Sequence, residues 1–452
     1  MSGIYGKAQG TNRNTATIMA AASLDFQTRT IRKIQKRLLP FVFLCYSVAL
    51  LDRANIGFAA LTMNKDLGIS AQAYGLLTGT FFMGYILFEI PSNVLLHRLG
   101  ARIWIARVLI TWGIVAACTG LAHSVTQICV IRFLLGVAEA GFFPGMILYN
   151  TYWFRQREQA QGLAFFMAAQ PFFALVGAPI SGVILDYVHW LGVASWRWLL
   201  ILEAIPAILM GVLTYFVLPN RPADAKFLSP EEKNWLIAEL KREEASAVNQ
   251  TGHSSALKAM VNPLVWYLAI IDLIFTNATV WMNFWMPSLV KVLSKSERNT
   301  FIGLLVAIPM VFGLIVMLIM SHHSDRTQER RFHIAIPNLL GGIGLLVVFA
   351  RKGAPPLYLS VAMLTLMVIA IDNFYGCFWS LPSTFLTGYA AASGIALISS
   401  FANISGFVGP WIIGYVNGKT GSLYSGAGII GMCLITSALL TVLLPKKQQP
   451  WP

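Results

Sequence analysis

The sequence predicts an all-α membrane protein of twelve transmembrane helices in two six-helix halves, with both termini on the cytoplasmic side. Three observations carry this. Of the 452 residues, 56% are apolar and only 12% are charged, about half the charge of a typical soluble domain. The apolar residues fall in runs of the ~20 residues that a bilayer core requires. The net charge is +14, and its cations gather in alternate connecting segments. A soluble enzyme or a disordered scaffold of this composition is excluded, because too little charge is present to cover a water-facing surface.

Spans are expected at 38–61, 73–96, 102–122, 126–149, 160–185 and 197–218, then at 263–290, 300–320, 332–350, 356–379, 390–416 and 423–444. The eleventh is the weakest, since Gly394, Gly406, Gly409 and Pro410 interrupt it; neighbouring helices can satisfy the backbone groups such breakers free. The division is then a basic N-terminal segment (1–37), a first half (38–218), a linker (219–262), a second half (263–444) and a short tail (445–452). No cleavable signal peptide is expected, because the apolar run 17–24 is short and precedes the cations Arg29 to Arg37. In the linker, Ser229 reads as an N-cap with Pro230 in the first turn of an amphipathic helix.

With the N-terminus inside, 22 of the 33 cations lie in inner segments against 8 in outer ones, which is the bias of cytoplasmic loops. Nucleic-acid binding loses its support. The short basic loops after spans two and eight, His97 to Arg102 and Asp325 to Arg331, sit about half a chain apart and suggest duplicated halves.

Charges inside spans cost about 2.5–3.5 kcal/mol each on insertion scales and mark functional sites by default. Asp52 and Arg53 in span one lie about 14 and 12 Å below its outer end, while Arg132 and Glu139 in span four lie about 8 and 18 Å below theirs. Seven residues separate Arg132 from Glu139, two turns on one face, so each can meet an opposite charge on span one. One reading is a permanent ion-pair network pinning two helices. The other is transport. With both carboxylates ionised the cluster is neutral; protonating one or both exposes arginine charge, so an anion binds best to the protonated protein. On that reading Arg53 takes the substrate carboxylate with its planar fork, and Glu139 and Asp52 carry the proton. In the second half Trp379 and Asn403 lie near breaks at Pro382 and Gly406, where side chains can reach a cavity.

The stretches LDRANIGFAALTMNKDLGIS (51–70), FEIPSNVLLHRLGAR (88–102), RFLLGVAEAGFFPGMILY (132–149) and FWSLPSTFLTGYAAASGIA (378–396) resemble the major facilitator superfamily, and within it the anion:cation symporter family with its tartrate, rhamnonate and 4-hydroxyphenylacetate permeases. The resemblance implies that Asp52, Arg53, Arg132 and Glu139 hold proton and anion, that Tyr85 and Gln170 contact substrate, and that Arg98, Arg102, Asp325 and Arg326 belong to the two copies of a gating loop motif. Asn93 and His97 depart from that motif in the first copy, and Leu50 replaces a family tyrosine. The loss points to a different or less polyhydroxylated substrate.

The function this implies is proton-coupled import of a small hydroxy or aromatic carboxylate across the cell inner membrane, by a monomer driven by the proton gradient without a cofactor. No metal site or catalytic constellation is expected, hence no enzyme: the five cysteines lie in apolar runs, and His322, His323 and Asp325 read as a solvated loop end. Two other classes remain. Gly177, Pro179 and Gly182 echo proton-driven drug exporters, although two buried arginines oppose a cationic drug. A sensor on the same fold would lose a transcriptional response on deletion instead of growth on one acid.

Overall fold

The computed structural model describes residues 5–167, 169–250, 261–327, 329–351, 356–382, 386 and 388–444; the tail 445–452 lies outside them. The first half comprises α1 (Tyr5–Asp66), α2 (Ala71–Leu99), α3 (Ala101–Thr119), α4 (Val125–Glu139), α5 (Phe142–Thr151), α6 (Gln156–Met167), α7 (Ala169–Tyr187) and α8 (Ser195–Val217). The linker forms α9 (Pro230–Gln250). The second half comprises α10 (Pro263–Ser294), α11 (Asn299–Thr327), α12 (Arg331–Arg351), α13 (Leu357–Phe378), α14 (Gly388–Ala402), α15 (Ser405–Thr420) and α16 (Tyr424–Val442). Among the described residues, 11 helical stretches are long and apolar enough to cross a membrane, and a shorter apolar helix, Leu175–Tyr187, lies in the fifth span.

Three differences from the expected spans have local causes. α1 runs through the basic segment without interruption, because the chain meets no helix-ending glycine until Gly68 at φ +62°. Span four divides into α4 and α5 at Ala140 and Gly141, the latter left-handed at φ +81°, a conformation that costs glycine little. Span eleven divides into α14 and α15 at Asn403 and Ile404, just before Gly406, Gly409 and Pro410, whereas Gly394 stays within α14.

Ser229 caps α9 through a reciprocal pair, with its Oγ accepting from Glu232 N at 3.2 Å and Glu232 Oε2 accepting from Ser229 N at 2.7 Å. The linker docks on the first half: Lys33 Nζ donates to Glu232 Oε2 at 2.9 Å, and the Phe227 ring stacks 6.1 Å from Trp153.

The ends bearing Arg98, Arg155 and Arg326 are the inner ends by the cation bias. Contacts joining the halves sit toward the opposite, outer ends. Tyr74 OH donates to the Phe284 carbonyl at 2.8 Å, and Lys291 Nζ donates to the Leu61 carbonyl at 3.2 Å. α1 passes α10 so closely that a Cβ at Gly57 would strike the Asn283 carbonyl oxygen. Backbones approach this way where small residues line a membrane helix contact. The molecule is therefore closed toward the outside.

Asp186 forms another tie. Its Oδ1 accepts from Asn299 N and Nδ2, both at 2.9 Å, and its Oδ2 accepts from Thr300 N and Oγ1, both at 2.7 Å. One carboxylate of α7 thus caps the N-terminus of α11 in the other half and meets the positive end of its dipole. Asp186→Ala is expected to cost about 1.5–3 kcal/mol, the range for hydrogen bonds to a charged group. Thermal unfolding in detergent measures this as a lowered midpoint; an unchanged midpoint would show the tie to be idle.

Candidate functional site

The candidate site is built where α1, α2 and α4 meet. Gly136 of α4 lies against α2 so closely that a Cβ there would collide with the Phe81 carbonyl. That approach brings Phe81 and Tyr85 up to the arginines. Glu139 is the last residue of α4, before the Gly141 break, and the negative end of a helix dipole adds to a carboxylate's need for a counterion. Arg53 supplies it. Its Nε donates to Glu139 Oε1 at 2.7 Å and a second guanidinium nitrogen reaches the same oxygen at 2.5 Å. Glu139 is fully buried, and among the described residues its Oε2 has no hydrogen-bond partner. The Arg53 side chain keeps 28% exposure, while Asp52, Arg132 and Glu139 are buried.

Arg132 is 2% exposed, and its guanidinium carbon lies 5.1 Å from the Phe81 ring centroid. The Arg53 carbon lies 5.9 Å from the same centroid and 5.4 Å from that of Tyr85. Ring faces attract cations, most strongly where water is excluded. They do not satisfy N–H donors. Arg132 Nε is buried without a partner, and among the described residues no ion pair within 4.0 Å reaches Arg132.

Asp52 turns elsewhere. Its Oδ2 accepts from Trp112 Nε1 on α3 at 2.6 Å and its Oδ1 accepts from Asn55 Nδ2 at 3.0 Å. Consecutive residues on a helix point about 100° apart, so Asp52 and Arg53 cannot both face α4. By depth Asp52 lies between the two span-four charges, but depth says nothing of this azimuth.

Of the other sequence-derived candidates, Tyr85 is buried under Arg53. Gln170, Trp379 and Asn403 are half-buried, and none of the three hydrogen-bonds to the arginine cluster among the described residues. Trp379 lies edge-on to Phe378 at 5.5 Å, and Asn403 sits in the turn between α14 and α15. Of the loop residues, Arg98 and Arg326 are exposed. The Arg102 carbon lies 4.7 Å from the Tyr215 ring centroid, and its backbone N–H donates to Asn220 Oδ1 at 2.9 Å. The Asp325 side chain lies outside the described residues.

Four participants escaped the sequence reading. Asn55 is signalled by its spacing, three residues after Asp52. Trp112 and Phe81 carry no signal among so many aromatics. Tyr46, two turns from Arg53 on α1, stacks on Phe166 at 4.2 Å within electrostatic range of both Arg53 and Glu139.

Comparison with known proteins bears on what this arrangement serves. An Agrobacterium vitis protein named for tartrate transport is 43% identical over 422 residues, 93% of this chain and 96% of that one. An Acinetobacter baumannii protein named as a quinolone resistance transporter is 36% identical over 424 residues, 94% of this chain and 96% of that one. The solved structure of the xylose transporter XylE from Escherichia coli, in a partially occluded inward-open conformation, superposes with a TM-score of 0.72 at 16% identity, covering 92% of this chain and 99% of that one. The model of the Major Facilitator Superfamily matches residues 42–410. A helical bundle of this build, with buried charge where the helices of one half converge and with transporters as its relatives, is a multi-pass membrane transport protein and not an enzyme, and the chain belongs to the Major Facilitator Superfamily.

Proposed function

We propose that the protein imports a small organic carboxylate together with protons by alternating access. The observation that carries this is Arg132: a buried cation whose Nε lacks an acceptor, beside a second arginine held by one oxygen of one carboxylate. Burying a cation without hydrogen-bond partners is costly, and an anion entering between the two arginines would supply acceptors to both. Protonation of Glu139 releases Arg53 from its counterion and leaves it for the substrate. Proton and anion then favour each other's binding, which is the condition for symport. The proton gradient is the energy source, and no cofactor enters.

The kinship to a protein named for tartrate transport supports a hydroxy-carboxylate, and aromatic carboxylates remain in the class. Import across a bacterial inner membrane, by a monomer, belongs to the same reading. Arg102 and Arg326, with Arg98 and Asp325, are assigned to closing the inner side. A second reading, proton-driven drug efflux, draws on the relative named for quinolone resistance; cells overproducing the protein would then accumulate less quinolone, with no gain in acid uptake.

Arg53→Lys tests the site directly. Lysine keeps the charge but loses the fork, so affinity for the carboxylate is expected to fall about tenfold or more, equivalent to ~1.4 kcal/mol or above. A thermal-shift titration of the purified protein with tartrate and 4-hydroxyphenylacetate measures it. An equal shift in wild type and variant for whichever acid binds would remove Arg53 from the site.

A further inference from the structure

A second titratable cluster lies far from the arginines, at the inner end of the second half. The sequence presents His323 as part of a solvated loop end. In the structure His323 Nδ1 lies 2.7 Å from His333 Nε2, and His333 Nδ1 lies 2.7 Å from Glu329 Oε2. The chain therefore links α11 to α12. Its members differ in access: His323 is exposed, the Glu329 side chain keeps 34% exposure and that of His333 keeps 10%.

The surroundings fix the geometry. Glu329 caps α12, with Oε1 accepting from Phe332 N at 2.9 Å and Oε2 from His333 N at 3.3 Å. Its backbone carbonyl accepts from Ser324 Oγ at 2.6 Å, and Arg330 donates to that hydroxyl at 2.9 Å. From α13, Asn373 donates to the His333 carbonyl, while Asp372 is turned toward Gly313 of α11. From α16 come the Val442 carbonyl, taken by Arg331, and the Ser437 hydroxyl, which accepts from Asn338. The neighbouring charges His322 and Arg326 are exposed, and the Asp325 side chain lies outside the described residues.

We propose that Glu329, His333 and His323 form a proton-binding site, separate from the site in the first half, that holds one excess proton and ties α11 to α12. The hydrogen count leads there. With both rings neutral, His323 Nδ1–H donates to His333 Nε2, and His333 Nδ1–H donates to Glu329. An added proton enters at Nε2 of His323, the exposed residue of the three. The bridging proton moves to His333 Nε2, and the charge comes to rest on His333 beside the Glu329 carboxylate. Both short contacts survive this step. A second proton sets N–H against N–H at 2.7 Å, and the link between the helices must open.

Glu329 is suited to its part. Partial burial acts to raise its carboxyl, but the N–H donors of Phe332 and His333 and the His333 ring outweigh that and hold it below the usual carboxylate range. It stays ionised while imidazoles titrate between about pH 5 and 8. Its own contribution to stability is present above the ordinary carboxylate value and is lost only as pH falls through the lowered one.

The proposal does not depend on which substrate is carried. Histidine ring resonances of the full chain in lipid nanodiscs, followed from pH 8.5 to 5, are expected to show the His323 and His333 rings changing together in a one-proton step. A second step follows at least one pH unit lower, as interacting sites require. His323→Gln leaves His333 with a single step. Glu329→Gln weakens the first proton about tenfold; should the histidine variants fail to fold, this variant and the wild-type titration decide. Two rings titrating independently, or no effect of Glu329→Gln, would overturn the site.

Discussion

Glu139→Gln is expected to abolish uptake against a concentration gradient while leaving exchange of internal for external substrate intact. The amide keeps a carbonyl oxygen to accept from Arg53, whose bond to Glu139 Oε1 measures 2.7 Å, but it can neither ionise nor carry a proton. Arg53 then holds its charge permanently available, as it does in the protonated wild type. Anion affinity in the variant should lose most of its pH dependence, where the wild type is expected to show the 5- to 150-fold coupling usual between linked ligands, about 1–3 kcal/mol. Asp52, held by Trp112 and Asn55, is expected to leave a smaller residual slope. Labelled-substrate uptake and counterflow, measured in the same proteoliposomes, separate the two activities. Concentrative uptake at the wild-type rate would remove Glu139 from the proton path.

The second large effect concerns the outer closure. Gly57→Leu places a side chain where even a Cβ would strike the Asn283 carbonyl oxygen. A backbone atom cannot yield as a side chain can. Overpacking costs about 1–3 kcal/mol, and here the cost falls only on the state in which α1 and α10 touch. Populations should shift by about 5- to 150-fold toward a molecule open to the outside. Uptake is expected to fall by at least about tenfold. Leu61→Cys, at a residue now 8% exposed, should become reactive to an impermeant maleimide in the Gly57→Leu background. Normal uptake with no gain in labelling would show that this contact does not govern closure.

The spans were legible because a bilayer asks only for length and apolarity, and those survive any error in helix phase. Breaks inside spans were less so. Gly141 ends α4 beside Glu139, yet nothing distinguishes it in sequence from Gly136 or Gly145, which remain helical. In the site, the Arg53 and Glu139 pairing followed from charge and depth, two quantities that sequence provides. The partner of Asp52 depends on azimuth and on an indole 60 residues away. Phe81 joins the arginines only because Gly136 lets α2 and α4 approach. The histidine link shows the same limit: His323 and His333 belong to different helices, and the turn at Glu329 that aligns them is a tertiary fact.

The central claim is that substrate and proton enter together. It is tested most directly by recording luminal pH in proteoliposomes, with no imposed gradient, after external addition of tartrate, rhamnonate or 4-hydroxyphenylacetate. For the acid that is carried, the lumen should acidify in step with uptake, and Glu139→Gln should abolish the acidification while counterflow persists. Uptake of labelled acid with a luminal pH that does not move would contradict the account.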